Sequence, residues 1–434
     1  MQPEQLCRQM REDWNRRARE DARYYVAFGR RGQDDEEFFA TGRDLARGLE
    51  RELKRLPPGH WRARRALEIG CGLGRLMLPL AHCFGEIHGV DVSDEMVRLA
   101  REKLREVPHA HVHLNSGGDL AAFADDSFDF VYSYAVFQHI PTREVVFSYL
   151  CEARRVLKPG GIFRFQVNGL PPNGSQYDTW SGVRISASEI ARFAREHDMQ
   201  LLALEGVQTQ YQWVTLRKKP LGWYAGLGER FPRTPARIRR ITSAYGTEPA
   251  VAARGRFAVA SLWIEDLPED CDLNTLEASI GGLAGRGAYL GPPEYGLVQF
   301  NVEMPEGLSS GLQPVELRWL GRSLAPQAFL RVRVPPPPVP RVAEVTDGID
   351  LLAGPRIRSR VVRVVLEEIE GLQRLEATVG GWCVGGLEIR CVDPRPPLYQ
   401  VVFELPENVG PGVHELRLRV GSRCFPPVTL EVLA

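Results

Sequence analysis

The sequence predicts a chain in two parts, an α/β domain followed by an all-β region, and three observations carry that prediction. Glu68-Ile69-Gly70-Cys71-Gly72-Leu73-Gly74 is an acid followed by three glycines at alternate positions, between an apolar run ending at Ala66-Leu67 and helix-like Leu76 to Ala81. A strand, a glycine-rich turn and a helix make a cradle for a nucleotide-like ligand, because glycine permits tight turns and close backbone approach. Near Lys219-Pro220 the composition then changes, as glycine and proline become frequent and short period-two runs replace helical spacing. Finally, the period-two region echoes itself across Val334-Pro335-Pro336-Pro337-Pro338-Val339-Pro340.

The 434 residues are too many for one domain. Residues 1–60 alternate charged and apolar positions at helical spacing: Trp14, Ala18, Ala22 and Tyr25 share one face, and Leu45, Leu49, Leu53 and Leu56 another. They predict a helical cap over the sheet, with Trp14, Tyr24 and Tyr25 as candidate lid residues or as plain packing between helices. Pro57-Pro58-Gly59 ends it.

Residues 61–220 hold the α/β domain. Arg75 stands where the third glycine of a G-x-G-x-x-G dinucleotide turn belongs, which argues against NAD or FAD. His88-Gly89-Val90-Asp91-Val92-Ser93 reads as a second strand ending in an acid about 20 residues past the loop, placed to accept both ribose hydroxyls. Asp94 and Glu95 suit the first turn of the next helix. Gly118-Asp119-Leu120 precedes Ser127-Phe128-Asp129-Phe130-Val131-Tyr132-Ser133, and Arg154-Arg155-Val156-Leu157-Lys158-Pro159-Gly160-Gly161 leads into Ile162 to Val167.

In this order these segments resemble the class I S-adenosylmethionine (SAM)-dependent methyltransferases: the E/D-x-G-x-G-x-G turn, the acid after strand two, the "GD" passage, and the "R-v-L-K-P-G-G" turn into strand five. The resemblance spans about 100 residues. It implies a Rossmann-like, seven-strand, mostly parallel sheet with one antiparallel strand, completed by Leu201 to Glu205 and Gln210 to Leu216. It implies S-adenosyl-L-methionine as cofactor, held by Glu68, Gly70, Cys71, Gly72, Gly74, Asp91, Val92, Asp119, Leu120 and Ser133. By the same resemblance Asp119 lies beside the adenine amino group, the Leu120 amide contacts the ring, and Gly169 to Ser175 shapes the acceptor pocket.

Methyl transfer from a sulfonium is an in-line displacement, so the protein chiefly positions two partners and excludes water. A base is needed only for a protonated acceptor, and His139, in Phe137-Gln138-His139-Ile140, is the candidate catalytic residue, as general base or as an orienting group. The (N/D)-P-P-(Y/F) segment of amino-methylating DNA enzymes, the Pro-Cys pair of cytosine-C5 enzymes and the paired glutamates of arginine methyltransferases are not found. A small molecule, sugar or lipid precursor, free or carried on a polymer, is the expected methyl acceptor.

Residues 221–240 read as an exposed linker with a basic strip at Arg230 to Arg240, 241–334 and 341–434 as two tandem β-sandwiches loosely similar to immunoglobulin-like repeats, and 335–340 as a semi-rigid polyproline connector. Phe300-Asn301-Val302-Glu303-Met304-Pro305-Glu306 and Val315 to Arg318 in the first correspond to Phe403-Glu404-Leu405-Pro406-Glu407 and His414 to Arg417 in the second. The sandwiches are expected to serve docking or oligomerisation, with Trp319 and Trp382 read as core residues; the alternative is a binding protein whose sandwiches recognise a carbohydrate or protein through such aromatics exposed on one face, with a vestigial SAM fold. A chain ending near Pro220 is expected to keep its cofactor.

Formal net charge is +0, so no basicity points to nucleic acid, and no apolar run reaches membrane-spanning length. The start is polar, with no signal peptide read there, so a cytoplasmic setting with reduced thiols is expected. Eight cysteines form no C-x-x-C pair, and no metal is expected.

Overall fold

A computed structural model describes residues 3–27, 31–172, 176–255, 257–335, 339–349, 354–367, 369, 372–393 and 398–433. Asn173-Gly174-Ser175 of the expected acceptor loop, Pro336 to Pro338 of the polyproline connector and the Cys391 side chain lie outside the described residues. The chain divides into two compact units: residues 1–22 with 39–335, and residues 23–38 with 336–434.

The first unit opens on α1 (Pro3–Ala27), broken at Asp21, and includes most of α2 (Asp35–Glu52). The strands that follow are β1 (Arg65–Ile69), β2 (Glu86–Asp91), β3 (Ala110–Leu114), β4 (Phe128–Ser133), β5 (Leu157–Val167), β6 (Met199–Glu205) and β7 (Gln212–Lys218). Between them run α3 (Met77–Leu80), α4 (Asp94–Lys103), α5 (Arg143–Val156) and α6 (Ala187–Glu196). Their order across the sheet is β3-β2-β1-β4-β5-β7-β6, with β7 antiparallel to both neighbours. Successive strand residues point to opposite faces, so two cores form. Leu67, Ile69 and Val131 pack with Leu150 of α5 and Phe193 of α6; Ala66, Phe130 and Tyr132 pack with Leu49 of α2, Met77 of α3 and Ala100 of α4. The strand order reverses between β1 and β4, and ligands of such sheets collect at the carboxyl ends of strands flanking that point.

Sheet formation does not stop at β6. Nine strands follow: β8 (Arg237–Ser243), β9 (Ala250–Ala252), β10 (Val259–Glu265), β11 (Leu276–Ile280), β12 (Leu283–Leu290), β13 (Leu297–Glu303), β14 (Gly311–Trp319), β15 (Arg322–Ser323) and β16 (Ala328–Arg333). They form two layers over one core, β8-β10-β13 and β11-β14-β16-β9, with β12 pairing β13 at one end and β11 at the other. Through Tyr289, β12 also pairs Ala203 of β6. The expected linker at 221–240 is corrected here: Trp223, Leu227 and Ala236 are buried in the same core, and β8 begins at Arg237. These apolar residues are too widely spaced to show a strand period, which is why the segment reads as a linker. Trp319 is likewise core, its indole N–H donated to Thr275 Oγ1 at 3.1 Å.

In the second unit the strands 341–347, 361–367, 398–404 and 388–393 form one sheet, and 356–357, 428–432, 412–420, 375–379 and 382–383 another, around one core. The order repeats that of β8 to β16, with corresponding strands roughly 100 residues apart. Trp382 is exposed. Tyr24 and Tyr25 belong to this unit, where their rings meet edge-on and Arg31 lies over Tyr24 at 4.5 Å, so the three expected lid aromatics do not fall in one unit.

Candidate functional site

At the carboxyl end of β1 the chain turns through Gly70, Gly72 and Gly74, all left-handed with φ of 73°, 51° and 78°. Two amides of this turn, those of Gly70 and Cys71, reach across to the Val90 carbonyl of β2 at 2.8 and 3.0 Å. Gly70 is irreplaceable by size as well as conformation, since a Cβ there would sit 2.3 Å from Val136 Cγ2. Asp91, half-buried at the end of β2, accepts the Gly72 N–H on Oδ2 and the Ser93 N–H on Oδ1, each at 2.9 Å. Burial pushes its carboxyl up against the pull of those amides. A carboxylate has about four lone-pair positions, so these amides leave capacity for a further hydroxyl donor, which suits the ribose role.

Other expected site residues fall differently. Glu68 is buried beneath the turn, accepts the Tyr132 hydroxyl at 3.0 Å, and is pushed up to about 8 by burial, against the pull of that hydrogen bond and of Arg75. Cys71 is buried, with its thiol raised by burial and by Asp91 and Glu68. Ser133 donates to the Ile69 carbonyl at 3.0 Å and so ties β4 to β1. Asp119 caps its own loop, accepting the Ser116 hydroxyl and the Ala121 N–H at 2.9 and 3.0 Å. The Leu120 N–H is donated to Glu152 Oε2 at 2.9 Å.

Helix α1 supplies what sequence reading missed. Arg11 donates from Nε to the Val92 carbonyl at 3.2 Å and from Nη2 to the Asn115 carbonyl at 3.0 Å, bridging the ends of β2 and β3. Asn15 accepts the Ser93 hydroxyl and the Glu95 N–H. Asn115 in turn donates to the Asp119 carbonyl at 2.6 Å and accepts the Gly117 N–H at 2.8 Å. In the sequence these α1 side chains are indistinguishable from a solvated helix face.

His139 closes the 3-10 turn Phe137–His139 after β4 and is buried. Its Nδ1 lies 2.7 Å from the Trp180 carbonyl, which only accepts, so Nδ1 carries the hydrogen. Gln166 donates to Gln138 Oε1 at 3.0 Å, which turns the Gln138 amide nitrogen toward His139 Nε2 at 3.3 Å. Trp14 meets the imidazole edge-on at 5.4 Å, and Trp180 lies at 5.6 Å. Arg17 sits over both indoles at 4.8 and 5.1 Å and donates to the Thr179 carbonyl at 3.0 Å. Burial holds His139 down at about 4, and Arg17 adds to this.

That depression sets a pH dependence. The unfolded histidine takes its proton near 6.5 while the folded one resists until about 4. Stability from this group is therefore complete above 6.5 and falls as pH drops from 6.5 to 4, by up to about 3 kcal/mol. Urea unfolding at pH 7 and pH 4.5 is expected to show a smaller acid loss in His139→Gln than in the parent chain. An equal loss in both would mean that His139 is not the group responsible.

Residues 67–165 match the model of a family described as "Methyltransferase domain". The chain is 30% identical over 161 residues to phosphoethanolamine N-methyltransferase 2 of Caenorhabditis elegans, covering 35% of this chain and 36% of that protein. It is 37% identical over 101 residues to demethylmenaquinone methyltransferase of Bacillus velezensis, covering 22% and 42%. Among solved structures, phosphoethanolamine N-methyltransferase 1 of Haemonchus contortus, in complex with phosphoethanolamine and S-adenosylhomocysteine, is 14% identical and covers 51% of either chain at a TM-score of 0.38. The chain spans between about a third and two thirds of the length of the curated relatives it matches.

Proposed function

We propose that the protein transfers the methyl group of SAM to an oxygen or nitrogen of a small molecule, sugar or lipid precursor, with its two-layer β modules, read as immunoglobulin-like, serving docking or oligomerisation. The observation that carries this is the left-handed glycine turn after β1 facing Asp91, whose carboxylate keeps spare acceptor capacity, at the point where the sheet order reverses. Bound SAM supplies an activated methyl on a sulfonium. Gly70 to Gly74 bring their backbone close to the cofactor, Asp91 takes its ribose hydroxyls, and Asp119 stands at the adenine edge. Arg11 and Asn15 of α1 hold the ends of β2 and β3 that carry these acids. His139, neutral and with Nε2 facing an amide donor, orients the acceptor-side loop rather than serving as a strong base.

The reading is tested by calorimetry with SAM and S-adenosylhomocysteine. Both are expected to bind, NAD is expected not to compete, and Asp91→Ala is expected to weaken binding by about 1.5–3 kcal/mol, as charge-assisted hydrogen bonds are lost. No binding of either ligand to folded protein would overturn it. Incubation with labelled methyl donor and fractionated host extract then identifies the acceptor.

One observation favours a second reading, in which the β modules recognise a carbohydrate and the SAM fold is vestigial. A cavity of about 470 Å³ is lined by Trp263, Tyr289, Arg164, Glu52, Gln299 and Asn301. Aromatic faces with amides and charged groups suit a polyhydroxylated ring. Sugar binding without SAM binding would favour this reading over the first.

A further inference from the structure

Among the described residues, one group of metal-ligating side chains converges away from the glycine turn: Glu50 in the last turn of α2, and His82 and Cys83 in the 3-10 turn Ala81–Cys83. Their ligand atoms all lie within 4.8 Å of one another. Cys83 Sγ is 3.4 Å from His82 Nε2, and His82 Nε2 is 3.6 Å from Glu50 Oε1. Ordinary zinc bond lengths at a tetrahedral angle place S···N at about 3.5 Å and N···O at about 3.3 Å. Those two spacings match a coordination shell to within a few tenths of an ångström, and the Cys83–Glu50 pair lies within 4.8 Å.

The histidine is also turned the right way. His82 Nδ1 lies 2.8 Å from the Pro79 carbonyl, which only accepts, so Nδ1 carries the hydrogen and the Nε2 lone pair faces Cys83 and Glu50. A histidine bound to zinc commonly donates its other N–H to just such a carbonyl, which fixes its ring. His82 and Glu50 are open enough to solvent for a cation to enter and for water to fill a fourth position.

We propose that Glu50, His82 and Cys83 form a three-ligand tetrahedral site for a divalent cation, zinc being the one whose mixed sulfur, nitrogen and oxygen preference it meets. On binding, Cys83 forms a metal–sulfur bond and its thiol proton leaves to solvent. The carboxylate and thiolate then balance the charge of the cation, and His82 stays neutral. β2 starts at Glu86, just after Cys83, and ends at Asp91, so the cation ties α2 to the end of β2 remote from the glycine turn. The sequence expectation of no metal rested on the missing C-x-x-C pair, whereas these ligands come from two segments far apart in the chain.

The test is titration of the full, reduced, metal-free chain with Zn²⁺ against a chromophoric chelator, and with Co²⁺ followed by visible absorption. One zinc per chain is expected. His82→Ala and Glu50→Gln, both at accessible positions, are each expected to weaken it by roughly 100-fold or more, and Cys83→Ser to remove the thiolate-to-cobalt absorption. His113→Ala, in the separate His88–His113 pair, is expected to change neither. Absence of stoichiometric zinc, or its persistence in His82→Ala, overturns the proposal, as does its loss in His113→Ala. SAM affinity in the same variants is expected to stay at the parent value, so failure here is distinguishable from failure of the methyltransferase reading.

Discussion

Gly70→Ala is expected to abolish measurable SAM binding and to destabilise the first unit by about 2–5 kcal/mol. The figure joins two costs: a side chain held at a left-handed φ of 73°, about 1–2 kcal/mol, and overpacking against Val136, about 1–3 kcal/mol. The added methyl carbon would lie 2.3 and 2.7 Å from the two Val136 methyls, so either Val136 moves or the turn does. Val136 stands three residues before His139, so the disturbance spreads from the glycine turn to the loop after β4. Adding Val136→Ala is expected to return the packing part of the loss and leave the conformational part. Gly48→Ala supplies the control. That glycine lies inside α2 with open space where its Cβ would be, and the change is expected to be neutral or stabilising by about 0.5–1 kcal/mol. Chemical denaturation and calorimetry on the three variants decide the matter, and a Gly70→Ala chain that still binds SAM normally would remove the turn from the cofactor site.

The second large effect concerns the junction between β6 and the first β module. Asp272 is fully buried and accepts the Tyr224 hydroxyl, the Thr275 hydroxyl at 2.6 Å and the Leu201 N–H at 3.3 Å. Gln200, also buried, donates to the carbonyls of Glu269 and Cys271 at 2.6 and 2.8 Å. Asp272→Ala strands three donors at once and is expected to cost about 2–4 kcal/mol, read as a lower urea midpoint, with Asp272→Asn in between. Ending the chain near Pro220 removes all of these partners and is expected to leave a domain that no longer unfolds as one cooperative transition. The composition of the sequence, with its abrupt change at Lys219-Pro220, leads to the opposite expectation. A chain ending there with parental stability and SAM affinity would restore it.

The contrast shows which physical signals a sequence carries. Gly70, Gly72, Gly74 and Asp91 are legible because left-handed turns and strand-end acids demand particular residue types at fixed spacings. A mostly parallel sheet with one antiparallel strand follows from the family resemblance those residues carry, not from the apolar runs themselves. Arg11 and Asn15 are not, because their partners lie some eighty or more positions away and nothing local marks a charged helix residue as a clamp. The pairing of the Leu120 amide with Glu152 of α5 is not legible either, since a backbone donor has no side-chain signature. Trp223, Leu227 and Ala236 are misplaced because isolated apolar residues among prolines and arginines resemble a linker until a core closes on them.

The single residue pair that joins β12 to β6 belongs to a broader covering of β6. On that side of the strand, Leu201 gives its N–H to Asp272 and receives the Leu273 N–H on its carbonyl at 2.9 Å, Ala203 meets Tyr289, and the Leu204 carbonyl takes Arg286 at 3.3 Å. An uncovered last strand is a template on which another chain can add itself, and proteins commonly blunt it with charge, proline or a bulge. Here a whole β module performs that protection with backbone, carboxylate and guanidinium groups in turn. Loosening the module would therefore free a self-adhesive border at β6, and the earliest sign of damage would be concentration-dependent association of otherwise native molecules.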